Sequence, residues 1–126
     1  MAMKIIKIDP NGAELSINVV MIGLMTASYE YLLFEKNSNL VLDRKNGNNQ
    51  NSDDDKYFLP LPVSANMGRL IDVSVDFTGL EPANYPDYKV TTEFYQGDKK
   101  LDEVTDEGKV DGHLQHSQHF IKIEQK

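Results

Sequence analysis

The sequence predicts an all-β domain: a two-layer antiparallel β-sandwich of about seven to nine short strands, organised in an Ig-like or jelly-roll-like way. Two observations carry that expectation. Apolar and polar residues alternate with period 2 through most of the chain, while the spacing of an amphipathic helix hardly appears. Clusters of Gly, Pro, Asn, Asp and Ser also interrupt the alternation every eight to twelve residues or so, which is the turn spacing of a sandwich. A small closed barrel is the alternative arrangement of the same strands. With 126 residues, 40% apolar and 26% charged, the chain has the size of one domain and enough apolar material for a core, so residues 1–126 read as a single unit. It has no cysteine and no tryptophan, so the Cys…Trp…Cys core of antibody domains is missing and the strand order stays open.

The cleanest strand runs from Leu70 to Thr78. There Ile71, Val73, Val75 and Phe77 alternate with Asp72, Ser74, Asp76 and Thr78, as in a strand with one wet face. Met3 to Ile8 is a β-branched stretch ending at Asp9-Pro10-Asn11-Gly12, a turn sequence that suggests a hairpin to the next strand. From Leu15 the pattern alternates, then becomes apolar on both faces from Val20 to Met25, as if the strand entered the centre of the fold. Tyr29 to Lys36 is the next strand, ended by Asn37-Ser38-Asn39, and Leu40-Val41-Leu42 continues after a tight turn. Residues 46–55 contain no apolar side chain, which predicts a flexible polar loop, because nothing there offsets the entropy of ordering it.

Tyr57 to Val63 is extended but carries Pro60 and Pro62, so it belongs at a sheet edge or in a crossover. Ser64 to Gly68 turns the chain, and Gly79 to Pro86 forms a long connection with room for one helical turn. Tyr88 to Tyr95 is a strand with Tyr88, Val90, Thr92 and Phe94 on one face, joined through a Gln96-Gly97-Asp98-Lys99 hairpin turn to Lys100–Thr105. His119 to Glu124 closes the chain with Ile121 and Ile123 inward, or Phe120 if the register slips by one.

Thirteen Lys and Arg against twenty Asp and Glu leave a formal charge of −7. The densest basic spots, Arg44-Lys45 and Lys99-Lys100, each lie next to an acid, which speaks against a nucleic-acid partner. The longest apolar run, Val19 to Met25, is far short of the roughly 20 residues of a membrane-spanning helix, and no membrane contact is expected. As a signal-peptide core it is disfavoured by Asp9, Pro10, Gly12 and Glu14 before it. That, together with the absence of cysteine, gives a cytoplasmic location as the expectation.

No nucleophile elbow, phosphate loop or zinc-protease motif is present, so neither a catalytic nor a cofactor role is expected. His113, His116 and His119 invite a metal reading, with His113 and His116 the weak candidates, but their spacing on a strand points them to different faces. Asp53, Asp54 and Asp55 offer oxygen ligands, Asp53 and Asp55 being the better calcium candidates, yet the alternating acids and glycine of a calcium loop are missing. Polar side chains on solvated segments explain both groups more cheaply.

The leading expectation is therefore a non-catalytic protein–protein interaction module, an accessory or structural subunit that binds another protein or itself. One concrete version neutralises a basic protein, since acids such as Asp53–Asp55 and Asp102–Glu103 would speed encounter with a cationic surface. The alternative is a carbohydrate-binding module in which Tyr57, Tyr85, Tyr88 and Tyr95 form a platform for a sugar ligand. A third reading, a hydrolase with paired carboxylates, requires a concave pocket holding two of Glu30, Asp72, Asp76 and Glu93.

Overall fold

A computed structural model describes residues 2–50 and 55–126. Among the described residues nine strands form two sheets that pack face to face and do not close into a barrel, which excludes the barrel alternative. They are β1 (Ala2–Ile8), β2 (Leu15–Gly23), β3 (Met25–Phe34), β4 (Val41–Asn48), β5 (Lys56–Phe58), β6 (Leu70–Gly79), β7 (Asp87–Gln96), β8 (Lys99–Lys109) and β9 (Leu114–Gln125). A short 3-10 turn, Val63–Asn66, precedes β6. One sheet has the order β1-β9-β6-β3-β4, the other β5-β2-β7-β8. All pairs are antiparallel except β1–β9, which joins the first and last strands in parallel.

The core lies between the sheets and is filled from the alternating positions the sequence marks. Ile71, Val73, Val75 and Phe77 of β6 face Ile17, Val19, Val90 and Phe94 of the other sheet, and Ile121 and Ile123, not Phe120, point inward from β9. Gly97 turns β7 into β8 with φ of 61°, a conformation that a side chain disfavours.

Several boundaries differ from the sequence reading, each for a tertiary reason. Asp9–Gly12 does turn, with the Gly12 N–H donating to the Asp9 carbonyl, but it carries the chain from one sheet to the other and makes no hairpin. The apolar run after Val19 does not enter the centre: Ile22 is 57% and Leu24 44% exposed, and the chain changes sheets at Gly23. Gly23 has φ of 140°, and a Cβ there would meet the Asp87 carbonyl. β3 begins at Met25 rather than Tyr29, so the small residues Thr26, Ala27 and Ser28 are strand.

Asn46, Gly47 and Asn48, read as loop, lie in β4 and pair with Glu30, Tyr29 and Ser28. The Asn49 side chain prolongs that pairing, accepting from the Ala27 N–H and donating to the Met25 carbonyl. Main-chain pairing there replaces side-chain burial, which the sequence pattern does not register. Asp53 and Asp54 lie outside the described residues. β8 and β9 are longer than expected because polar residues on both faces are held by neighbouring strands. Of the segment expected at an edge or in a crossover, Tyr57 and Phe58 lie in the edge strand β5, while Pro60 and Pro62 lie in the connection that crosses to β6, and the Gly79–Pro86 connection holds one helical turn, closed by the Tyr85 N–H to the Glu81 carbonyl.

The buried polar groups of the seam include both paired ones and, in the Tyr31 hydroxyl, one without a hydrogen-bond partner among the described residues. His119 is 1% exposed, with Nδ1 2.9 Å from the Thr92 hydroxyl of the opposite sheet and Nε2 3.2 Å from Ser117. Burial pushes its imidazole below the ordinary histidine range, partly opposed by the Asp106 charge. The native state therefore holds a neutral ring, whereas the unfolded chain takes up a proton near pH 6.5. Stability contributed by this ring is complete above that pH and is lost as pH falls below it. His119→Leu should flatten the decline in unfolding free energy between pH 7 and 5 by up to about 1.4 kcal/mol per pH unit, read by urea denaturation at several pH values. A decline of the same steepness in the variant would show that other groups cause it.

Candidate functional site: the outer face of the five-stranded sheet

The four tyrosines that the sequence offers as a platform do not share a face. Tyr57 is an inward-facing residue of β5, stacked on Tyr31 at 5.8 Å between ring centroids, and its hydroxyl lies 2.5 Å from that of Tyr29. The Tyr29 hydroxyl in turn donates to Asp55 at 2.6 Å, and burial and this bond push its ionisation far above the ordinary tyrosine range. Asp55 is thus engaged in closing one side of the sandwich. Tyr88 also faces inward, tilted against Phe77 at 4.5 Å. Tyr95 lies on the outer face of the four-stranded sheet, and Tyr85, 60% exposed, in the loop before β7. Tyr88→Ala should cost about 2 kcal/mol through lost burial, and Tyr85→Ala less than about 0.5 kcal/mol. Thermal or urea unfolding measures both, and equal losses would contradict the assigned burial.

The histidines separate as well. His113 is exposed in the turn before β9, and His116 pairs with Asp76 on the outer face at 2.7 Å, while His119 is the core residue described above, not the solvated one expected. Among the described residues no three His, Asp or Glu side chains gather as a metal site. Asp102 and Glu103 are held by Lys4 and Lys100, whose ammonium groups lower both carboxyls below their ordinary range. Glu93 is on the other sheet, bonded by Asn18. Glu30 and Asp76 line one open groove of about 290 Å³ with Ser28, Tyr29 and Ser74, and Glu30 leans towards Arg44 at 3.6 Å.

One surface departs from the alternation that built the core. The strand registers place Met3, Phe120, Asp72 and Leu32 in one row across the outer face of the five-stranded sheet. The adjacent row holds Ile5, Lys122, Leu70 and Phe34. Water should favour polar residues at such positions, yet six of these eight are apolar, and Met3 and Ile5 are each more than half exposed. Beyond Asp72 the face turns polar, with Gln118, Ser74 and Glu30 in the next row.

Asp72 is the exception within this apolar half. Only 9% of it is exposed, although it points outward, because Phe120 and Leu32 flank it across the strands and Leu70 along its own. Its carboxylate accepts one hydrogen bond from Ser74 at 3.3 Å and a forked one from the Gln118 amide at 3.2 and 3.3 Å. Sequence reasoning counted Asp72 as an outward acid and a candidate catalytic carboxylate, and marked none of Met3, Ile5, Leu32, Phe34, Leu70 and Phe120 as part of a binding surface. Their common signal, apolar residues at the wet positions of four strands, shows only once the strands are aligned.

No protein-family model matches the chain, and no curated protein matches it. The fold is similar to a crystal structure of a domain of unknown function, DUF4425, from Bacteroides vulgatus, at 10% identity and a TM-score of 0.44. The match covers 91% of this chain and 98% of that one.

Proposed function

We propose that the protein is a non-catalytic protein–protein interaction module and that the apolar half of the outer five-stranded face is its contact surface. The observation that supports this is the two-row cluster of Met3, Ile5, Leu32, Phe34, Leu70 and Phe120 on a face where solvent alone would select polar residues. Its composition is that of an interface core, aromatic and aliphatic, with polar residues at the margin. The charge of −7 favours a basic partner, because long-range attraction speeds encounter even where individual acids are already paired.

The test compares the native protein with a Met3→Glu, Ile5→Glu double variant, both positions being exposed enough to accept charge without unfolding. Immobilised native protein should retain a stoichiometric partner from its own cell extract, or show a concentration-dependent mass in sedimentation if the partner is a second copy. The double variant should lose at least tenfold in either signal, corresponding to about 1.4 kcal/mol. Equal retention and equal mass in both proteins would sink the proposal.

A second reading, a sugar-binding face, is supported by one arrangement on the other sheet. Phe58 and Tyr95 both lie opposite Ser16, so two aromatic residues flank one buried serine in a single row, with Lys56 within 5.2 and 5.7 Å of the two rings. Aromatic faces beside amide and charged groups suit a pyranose ring. Binding on a glycan array that disappears in Phe58→Ala would favour this reading, and an array without signal would remove it.

A further inference from the structure

We infer that Asp72 is a receptor for an arginine side chain of the partner protein, inserted between Phe120 and Leu32. The inference rests on the interaction face proposed above and names what that face recognises. A carboxylate this deeply recessed ordinarily has a cation beside it, because neutral hydrogen bonds offset its desolvation only in part. Asp72 has none: among the described residues no Lys, Arg or His lies within ion-pair distance of it. Of the cations on the same face, Arg44 is directed to Glu30 and Lys122 to Glu124, and Lys7 stands opposite Glu124 at the far end of β1.

The bonds Asp72 does make are long. Charge-assisted hydrogen bonds to a carboxylate shorten to about 2.7–2.9 Å, whereas the three contacts here are 3.2 to 3.3 Å and two of them share one Gln118 nitrogen. The carboxylate therefore retains acceptor capacity for a better donor. Arginine suits it more than lysine for two reasons. Its planar fork can meet both carboxylate oxygens, and its weakly hydrated guanidinium can stack on an aromatic face, which Phe120 supplies directly across the strand. The surrounding apolar side chains would then exclude water from the pair, the arrangement in which a buried arginine contributes most to binding.

The probe is acetyl-Leu-Arg-Leu-amide, titrated into labelled protein and followed by the Gln118 side-chain amide resonances. Its lysine and citrulline counterparts serve as the charged and the neutral comparison. The arginine peptide should give saturable shifts at Gln118 and Ser74, with affinity about threefold or more above the lysine peptide and no saturation with citrulline. Asp72→Asn should abolish the arginine response, and Phe120→Leu should remove the preference for arginine over lysine. Thermal unfolding confirms that both variants are folded. Equal responses to arginine and citrulline, an unchanged response in Asp72→Asn, or shifts spread evenly over all surface acids would overturn the assignment. If the arginine peptide fails while the Met3, Ile5 double variant still loses its partner, the interaction face stands and the arginine receptor falls. If the peptide binds and the double variant keeps its partner, the interaction face falls, and with it the assignment of Asp72 to an arginine of the partner.

Discussion

Neither sheet can be built without the other. Of the eight links between consecutive strands, only β3–β4 and β7–β8 stay within a sheet, and the other six carry the chain across the sandwich. The central strands β2, β6 and β9 each find all their pairing partners at a distance in sequence. Main-chain pairing and the burial of the two inner faces therefore have to arrive together. The parallel contact of β1 with β9 is the extreme case, since the strand that opens the chain is held by the one that closes it. Folds with such distant pairing meet the entropy of loop closure before their contacts return it.

Within that seam the polar groups act as registry marks. His119 reaches Thr92 across the sheets, and Tyr57, Tyr29 and Asp55 form a hydrogen-bonded series at the side where β4 and β5 are the edge strands. On the opposite side Lys4 meets Asp102 at 2.9 Å. Near the 3-10 turn, buried Asn66 donates to the Pro60 and Val63 carbonyls and accepts from Arg69, which also pairs with Glu35. Each group left without its partner would bear a desolvation cost, so a one-residue slip of β9 or β5 is penalised twice, by packing and by unmet hydrogen bonds.

The outer faces are where the two sheets differ. The four-stranded sheet presents two aromatic rings set among charged and amide groups. The five-stranded sheet divides into a polar half, with His116 on Asp76, and an apolar half around the single recessed carboxylate of Asp72. Three of the strands that support this half, β9, β6 and β3, are interior to the sheet, and β1 carries Met3 and Ile5 at its edge. A surface of that kind can bind without first being ordered, and little of its interaction energy is lost to immobilisation.

Most of the fold class was legible in the sequence because alternation is a local property: Ile71 to Phe77 or Val90 to Phe94 announce a half-buried strand without reference to any neighbour. The crossover that holds Pro60 and Pro62 and the Gly97 turn were legible for the same reason, being consequences of single-residue backbone chemistry. Three kinds of feature were not. Asn46 to Asn48 are strand only because β3 offers them partners, and the apolar run at Ile22 and Leu24 is exposed because the chain changes sheets there. His119 looked like its two neighbours until β9 turned it towards Thr92. The candidate face belongs to this second group. Leu32, Asp72 and Phe120 lie on three strands far apart in sequence, and only strand order and register set them side by side. The sequence by itself determined which residues alternate, where the chain turns and that the balance of charge is acidic. The tertiary structure decided which outward positions become one surface, because adjacency across a sheet depends on pairing between distant segments and leaves no periodic trace within any one of them.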